Sequence, residues 1–317
     1  MVQKRNIPLV LVTGFLGSGK TTLVKYLLEN MDPGLSIGIV QNEYAAANID
    51  TFELQSVDRK FEVLEVNNGS VFCVCLLGSF IDSLAEFTDQ YNPDLVIIEA
   101  SGLSDPIAIA EILQHEKMVA RVYLSAVWCI IDGQNYHKVS KMNTRVERQI
   151  MIADRIILNK SDLIEGNPDA LLPVLKELNS DAGITTCTYC QIPINLVLEP
   201  VNEPLALLKE TEHRQYEPGG RVDISTVVLR TSRPIDRKGL DAFISEVESK
   251  LVRLKGFVLL SDKKVIRIQS EFGKTRMMEI THYHGNTELI GLGWDISPAG
   301  FGRRFHDFRK SSEQHVI

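Results

Sequence analysis

The sequence predicts an α/β fold, a mostly parallel sheet with helices on both faces, followed by a smaller α+β domain. In the first two thirds of the chain, near-continuous apolar runs alternate with helical patterns, as expected when both faces of a parallel sheet are buried. The character changes after a polar, turn-rich stretch at residues 213–220, which is typical of a linker. We therefore predict one domain over residues 1–212 and a second over residues 222–317.

The strands predicted for the first domain are the apolar runs at residues 8–13, 37–40, 61–66, 95–98, 123–131 and 155–158. Helices are predicted after the first strand, where Leu23, Tyr26 and Leu27 form an apolar stripe, and at residues 171–178. In the second domain, an alternating strand at 222–228 and a helix at 236–250 come first. A largely antiparallel set of short strands follows, at residues 256–260, 264–270, 276–283 and 288–292.

The strongest functional motif is the string from Gly14 to Thr21, which fits G-x-x-x-x-G-K-[ST] between a strand and a helix. Glycines let consecutive backbone N–H groups turn inward around phosphates, and the helix N-terminus adds positive potential. Lys20 is expected to reach the β and γ phosphates, and Thr21 to offer its hydroxyl to Mg²⁺. The phosphate-binding residues predicted from this loop are Gly14, Gly17, Ser18, Gly19, Lys20, Thr21 and Thr22.

A second motif, at residues 159–162, follows the apolar strand at 155–158 and indicates the base. Side chains just beyond the carboxyl end of a parallel strand project into the ligand crevice. The Asp162 carboxylate can accept both N1–H and the exocyclic amino group of guanine, a bidentate contact that adenine cannot reproduce. Asn159 can meet the base edge, and the stem of Lys160 can lie over the ring. The motif predicts that GTP and GDP are bound.

A third element, Glu99 to Gly102, ends a buried strand. A carboxylate there can orient Mg²⁺ through water, since such sites use one or two acids plus phosphate. The backbone N–H of Gly102 is expected to reach the γ-phosphate, and Glu43 is a weaker candidate for the switch region. Lys20, Thr21, Glu99 and Glu43 are thus the predicted catalytic residues. Intrinsic turnover should be slow, because no arginine finger can be assigned from the sequence.

The composition excludes several other classes of protein. The chain has 317 residues, of which 44% are hydrophobic and 24% charged, as in ordinary globular proteins. Its net charge of −7 argues against a nucleic acid or an anionic membrane as the main partner. No apolar stretch approaches the roughly 18 residues that span a bilayer. Five cysteines without an export signal indicate a reducing compartment, so we expect a cytoplasmic protein.

Taken together, these motifs resemble the CobW family of GTPases, which includes cobalamin-synthesis and zinc-chaperone proteins. The residues that carry the resemblance lie at 13–22, 42–43, 65–69, 98–106, 132, 153–163 and 254–258. The resemblance implies a P-loop GTPase domain followed by a CobW C-terminal-like domain. It also implies GTP binding and slow hydrolysis that are coupled to delivery of a transition metal, Zn²⁺ or Co²⁺, to a client metalloprotein.

A transition-metal site is predicted at Cys73 and Cys75, whose sulfurs would share one face of an extended segment. Thiolates suit Zn²⁺ or Co²⁺, but two ligands leave a tetrahedral site incomplete. The family carries Cys-x-Cys-Cys here, and an ungapped comparison puts Ser70 and Phe72 at two of those cysteine positions. Gln41 stands where some relatives have an acidic metal ligand. The alternative is a pair of buried, reduced thiols.

Two other pairs could bind metal but have simpler interpretations. In an extended segment, Cys187 and Cys190 would point to opposite faces and could not chelate together without a turn, so we interpret them as part of a core strand. His282 and His284 share a strand face, and we interpret them as a solvated polar pair. The role of the two cysteines stays open.

Two other functions remain compatible with the sequence. One is a nucleotide-gated protein that regulates a partner without carrying metal, and the other is a P-loop kinase acting on a small molecule. A kinase would leave residues 159–162 without a role. A homo-oligomer is left open, as are the identity of the client and of the metal.

Overall fold

We describe the protein from a computed structural model. The structure describes residues 6–41, 61–65, 74–102, 105–142, 144–198, 224–271, 273–281, 283, 285–294 and 296–313. The chain forms two compact units. The first comprises Met1–Ala108 and Leu124–Glu217, and the second comprises Ile109–Tyr123 and Pro218–Ile317.

The first unit is built on a seven-stranded sheet with the order β3-β2-β4-β1-β5-β6-β7. Its strands are β1 (Ile7–Thr13), β2 (Ile37–Gln41), β3 (Glu62–Glu65), β4 (Leu95–Glu99), β5 (Val122–Asp132), β6 (Arg155–Asn159) and β7 (Gly183–Thr186). The pairings β1·β4, β2·β4, β2·β3, β5·β6 and β6·β7 are all parallel. Every residue of β2 and β4 is buried, because helices cover both faces of a parallel sheet. The predicted α/β class is confirmed.

Helices lie between these strands along the chain. They are α1 (Lys20–Asn30), α2 (Val74–Tyr91), α3 (Pro106–Ile112), α4 (Glu116–Val119), α5 (Tyr136–Met142), α6 (Thr144–Ile152), α7 (Leu171–Leu178) and α8 (Asn195–Leu198). In α1, Leu23, Val24, Leu27 and Leu28 are buried on one side, which extends the predicted stripe. None of the helices in the described part of the chain is long and apolar enough to cross a bilayer.

The position of β1 determines where a ligand can bind. This strand lies in the middle of the sheet, with β4 on one side and β5 on the other. The loops after β1, β4 and β5 therefore emerge side by side at the carboxyl edge, where parallel α/β sheets bind their ligands.

The second unit is a five-stranded antiparallel sheet with the order β11-β10-β9-β12-β8. Its elements are β8 (Ile224–Thr231), α9 (Arg237–Val247), β9 (Leu251–Leu259), β10 (Val265–Glu271), β11 (Lys274–Ile280), β12 (Thr287–Trp294) and α10 (Pro298–Glu313). Phe243 of α9 packs against Phe301 and Phe305 of α10 with ring centroids 5.3 and 5.2 Å apart. The smaller α+β unit that the sequence predicted is thus present.

Gly256 shows why the pattern at residues 254–258 contains a glycine. Its φ is 142°, and a β-carbon there would lie 1.9 Å from the carbonyl oxygen of Glu288 on β12. Any larger residue would push β9 and β12 apart, so the close pairing of these strands requires glycine.

Strand β9 and helix α10 differ from the sequence prediction. Strand β9 begins at Leu251 rather than at residue 256, because pairing with β10 and β12 keeps residues 251–255 extended. Helix α10 was not predicted, since its apolar residues are few. Residues 109–123 group with the second unit, where Gln114 Oε1 accepts the Val228 N–H at 2.7 Å. The domain boundaries given above, 1–212 and 222–317, stay a prediction.

Candidate functional site

The loop between β1 and α1 has the backbone geometry of a phosphate cradle. Gly14, Gly17 and Gly19 have φ values of 141°, 74° and 110°, which residues with a β-carbon rarely adopt. A β-carbon at Gly14 would lie 2.3 Å from the carbonyl oxygen of Ile130 on β5. The glycines therefore serve two purposes, since they allow the turn and they let the loop sit tightly on the sheet.

Lys20 is the first residue of α1 and is only 8% exposed. Its Nζ lies 3.3 Å from the carbonyl oxygen of Phe15 in the same loop. A buried ammonium at the start of a helix creates a local positive field, although the chain as a whole is acidic. The loop is therefore suited to an anionic ligand.

Thr21 and Glu99 form the second part of the site. Thr21 Oγ1 donates to Glu99 Oε1 at 2.7 Å, and Gln41 Nε2 donates to Glu99 Oε2 at 3.3 Å. Glu99 is 8% exposed and Gln41 is 7% exposed, so both lie inside the crevice at the ends of β4 and β2. A hydroxyl and a carboxylate are the hard oxygen donors that Mg²⁺ prefers, so the residues present fit that ion.

Gly102 lies three residues beyond β4 and is brought against the phosphate loop. A β-carbon at this position would lie 2.6 Å from the backbone nitrogen of Leu16. Its carbonyl oxygen accepts from Gln149 Nε2 at 3.5 Å. The backbone of Gly102 therefore reaches the loop, and its hydrogen bond to a γ-phosphate stays a prediction.

Asn159 connects three segments of the site. Its Nδ2 donates to the carbonyl oxygen of Ser18 at 2.9 Å, and its Oδ1 accepts the backbone N–H of Cys190 at 2.9 Å. The side chain is 2% exposed, so these are buried hydrogen bonds. The sequence predicted that Asn159 meets the base edge, whereas here both ends of its amide bind protein atoms. It positions the phosphate loop against the loop after β7.

Lys160 and Asp162 follow at the mouth of the crevice. Lys160 has φ 57°, and its Nζ donates to the Gly17 carbonyl oxygen and to Asp132 Oδ2, both at 2.7 Å. The Lys160 stem thus extends across the crevice from β6 to the phosphate loop. Asp162 is exposed, so its carboxylate is accessible to a ligand.

Asp132 is a site residue whose role the sequence analysis did not identify. It ends β5 and accepts from Lys160 Nζ and from the backbone N–H and Nδ2 of Asn135. Burial alone would raise the pKa of this carboxyl, but the hydrogen bonds from Lys160 and Asn135 outweigh it and the pKa is lowered. Asp132 therefore stays ionised and holds Lys160 in place. Two signals in the sequence pointed to it, namely an acid at the end of a buried strand and its place among the residues that carry the family resemblance.

The prediction that Cys187 and Cys190 lie on an extended strand is wrong. Strand β7 ends at Thr186, and Tyr189 and Cys190 have φ values of 53° and 55°, which turn the chain back. The turn brings both cysteines against Asn159, whose Oδ1 accepts the Cys190 N–H at 2.9 Å and lies 3.7 Å from Cys187 Sγ. Both cysteines are buried in the core. The prediction that they are buried is confirmed.

The other metal candidates are only partly covered by the structure. Glu43, Cys73, His282 and His284 lie outside the described residues. Cys75 is the second residue of α2, so the extended conformation predicted for its segment is wrong there. Within the described ranges, no group of three or more His, Cys, Asp or Glu residues is placed to hold a metal ion.

Three features define a P-loop protein of the GTPase class. They are a phosphate loop after the central strand, a strand-end glutamate that accepts a hydrogen bond from Thr21, and an Asn-Lys-Ser-Asp string that begins at the end of β6. The particular family follows from comparison with known proteins. The chain belongs to the CobW/HypB/UreG family, whose nucleotide-binding domain matches residues 8–186. The C-terminal domain of the cobalamin synthesis protein cobW matches residues 224–308. The predicted resemblance is confirmed.

Several curated proteins are similar to this chain. The zinc chaperone YjiA of Escherichia coli is 28% identical over 268 residues, which cover 80% of this chain and 81% of YjiA. The zinc-regulated GTPase metalloprotein activator 1 of Dictyostelium discoideum is 25% identical over 298 residues, covering 79% of this chain and 62% of that protein. The crystal structure of Zn(II)-bound YjiA GTPase from E. coli has a TM-score of 0.51 and 22% identity, covering 96% of this chain and 99% of that one. That likeness shows a shared fold.

Proposed function

We propose that this chain is a slow GTPase that couples its nucleotide state to the handling of a transition metal, Zn²⁺ or Co²⁺, for a client metalloprotein. The observation that carries the proposal is the convergence of three predicted elements at one edge of the sheet. Lys20 lies in the loop, Thr21 is bonded to Glu99, and Asn159 ties the guanine motif to Ser18. The zinc-related names of similar proteins support the metal part.

The residues of the loop have distinct roles in hydrolysis of GTP by water to GDP and phosphate. Inward backbone N–H groups and the Lys20 ammonium stabilise the charge on the γ-phosphoryl oxygens as it redistributes during attack. Thr21 and Glu99 would hold Mg²⁺, which when bound neutralises phosphate charge. No arginine is among the site residues placed here, so we expect slow turnover without a partner.

The guanine motif is mechanically joined to the phosphate loop. Lys160 binds the carbonyl oxygen of Gly17, and Asn159 binds that of Ser18. The segment that we assign to the base is thus joined by direct hydrogen bonds to the loop that we assign to the phosphates. Since the exposed Asp162 lies at the mouth of the same crevice, we assign it the contact with N1–H and the amino group of guanine.

The Lys20→Ala variant tests the catalytic assignment. Removing a charge-stabilising donor costs at least about a hundredfold in hydrolysis rate. Lys25→Ala changes a lysine on the same helix outside the loop and should retain the wild-type rate. Undiminished hydrolysis of GTP by Lys20→Ala would overturn the assignment.

The metal cargo needs its own experiment. The full chain is titrated with Zn²⁺ and with Co²⁺ in the presence of a non-hydrolysable GTP analogue, of GDP or of no nucleotide. We expect the affinity to differ with the nucleotide state and to fall in a Cys73→Ser, Cys75→Ser double variant. Equal metal affinity in all three states would contradict coupling.

One alternative is favoured by specific contacts, namely a nucleotide-gated regulator without a metal cargo. Cys75 lies in a helix, and the Gln41 amide already binds Glu99. A metal titration that gives the same result in all nucleotide states would favour this function.

A small-molecule kinase is disfavoured, because Asn159 and Lys160 are hydrogen-bonded to the phosphate loop. A cytoplasmic location and a homo-oligomer stay predictions.

A further inference from the structure

The turn after β7 places two thiols next to the nucleotide site. Both backbone polar groups of Cys187 are hydrogen-bonded to residues at the end of β6. Its N–H donates to the Leu158 carbonyl oxygen at 2.9 Å, and its carbonyl oxygen accepts the Ser161 N–H at 3.2 Å. The positive φ values of Tyr189 and Cys190 then bring Cys190 back over Cys187. Asn159 Oδ1 lies between the two residues, because it accepts the Cys190 N–H at 2.9 Å and lies 3.7 Å from Cys187 Sγ.

Both cysteines contact elements that we assign to nucleotide binding. Cys190 Sγ lies 3.2 Å from the carbonyl oxygen of Gly19, and Cys187 Sγ lies 3.7 Å from Asn159 Oδ1. The packing is close, because a β-carbon on Gly19 would lie 3.1 Å from Cys190 Sγ. Oxidation of either sulfur would therefore alter a direct contact, with the phosphate loop in the case of Cys190 and with Asn159 in the case of Cys187.

We propose that Cys187 and Cys190 form a reversible oxidation site, a dithiol that a peroxide converts to an intrachain disulfide and that thereby lowers the affinity of the phosphate loop for nucleotide. The inference rests on the proposed function, because its consequence is read in nucleotide binding. Cys-x-x-Cys in a turn is the spacing at which two thiols can be joined without a long loop.

The oxidation proceeds in two balanced steps. The Cys187 thiolate attacks one oxygen of hydrogen peroxide, the O–O bond breaks, and the products are a Cys187 sulfenic acid and hydroxide, which takes a proton to become water. The Cys190 thiolate, formed by loss of its proton, then attacks the Cys187 sulfur. The S–S bond forms, the S–O bond breaks, and hydroxide leaves and is protonated. Overall two thiols are oxidised and one peroxide is reduced to two waters; a dithiol reductant reverses the change.

The environments of the two sulfurs suit these roles. Hydrogen bonding with Cys190 lowers the pKa of Cys187 despite burial, which favours Cys187 as the attacking thiolate. Its hydrogen bond with Cys187, together with burial, raises the pKa of Cys190, so Cys190 is the resolving thiol. Cys187 is only 6% exposed, so the oxidant chosen for the test is the small molecule hydrogen peroxide rather than a bulky disulfide.

Disulfide formation removes contacts from the loop. An S–S bond of about 2 Å draws Cys190 Sγ towards Cys187 and removes both S–H donors. The Gly19 carbonyl and Asn159 Oδ1 then each lose a sulfur partner. The loss of one or two hydrogen bonds predicts a decrease of roughly three- to tenfold in nucleotide affinity.

The test uses the wild-type full chain without added metal, and the position of each oxidised cysteine shows whether the Cys73 and Cys75 pair has also reacted. Affinity for a fluorescent GDP derivative is measured after reduction, after graded hydrogen peroxide and after re-reduction, and the bridge is located by peptide mass spectrometry. Cys129 is an internal control, because burial raises its pKa to about 12 and it should stay a thiol. We expect a bridge between Cys187 and Cys190, a loss of affinity of the size above, and full recovery.

The outcomes separate the two proposals. A complete Cys187–Cys190 disulfide with unchanged GDP affinity, or oxidation to sulfinic acid without a bridge, would overturn the oxidation site while leaving the proposed function intact. Reduced protein that fails to bind GDP would overturn both. Because the comparison is made between redox states of one protein, it does not depend on a Cys190 variant that folds.

Discussion

Gly19→Ala is the substitution for which the structure makes the sharpest prediction. A β-carbon at Gly19 would lie 2.5 Å from Asn159 Nδ2 and 3.1 Å from Cys190 Sγ, in a backbone with φ 110°. The amide of Asn159 must then withdraw, and its buried hydrogen bonds to Ser18 O and from the Cys190 N–H are lost. The change therefore disturbs the point at which three loops meet.

The magnitude follows from two contributions. A non-glycine residue at positive φ costs about 1–2 kcal/mol. Each lost hydrogen bond costs about 1 kcal/mol, and more if the buried groups stay without partners. The sum is about 3–5 kcal/mol for Gly19→Ala. Gly166→Ala is the matched control, because Gly166 has φ 88° and a β-carbon there would meet no described atom within 4 Å, so this variant carries the backbone cost alone.

Thermal unfolding followed by far-UV circular dichroism measures the difference. The 2–3 kcal/mol that separates the two variants corresponds to roughly 4–12 °C in midpoint for a domain of this size. We also expect Gly19→Ala, but not Gly166→Ala, to lose most of its stabilisation by added GDP. If the two variants melted within about 2 °C of each other, the reasoning about Asn159 would be refuted.

Two further predictions concern charged residues of the site. Asp162→Asn should weaken GTP binding and favour xanthosine triphosphate in a competition assay, because an amide can pair with the xanthine carbonyl. The control is Asp169→Asn, which changes another exposed aspartate. An unchanged preference in Asp162→Asn would mean that other residues contact the base. The pKa of Asp132 is held below its ordinary value of 3.8, so its carboxylate stabilises the fold above that pH and this contribution is lost as the pH falls through the lowered pKa. Asp132→Asn should therefore be less stable than wild type at pH near 6. The difference between the two urea unfolding midpoints should shrink below pH of about 4. A difference that stays the same at every pH would contradict the role of the Asp132 charge.

Much of the fold could be predicted from local patterns. The six apolar runs, the phosphate loop and the Asn-Lys-Ser-Asp string each report on a few consecutive residues, and burial on both faces leaves a clear apolar signature. Helix α10 escaped prediction, since α10 is held by a few phenylalanines in an otherwise charged segment. Its stability comes from packing on Phe243, which lies far away in the sequence.

The sequence by itself indicated the ligand class, because the residues we assign to phosphate and guanine lie in short strings whose chemistry does not depend on distant contacts. Only the tertiary structure decided how these strings are connected. Asn159 anchors Ser18, Asp132 orients Lys160, and a turn places Cys190 on Gly19. Such contacts join residues more than twenty positions apart, and no periodicity encodes them. They exist because a parallel sheet brings the carboxyl ends of its strands to one edge.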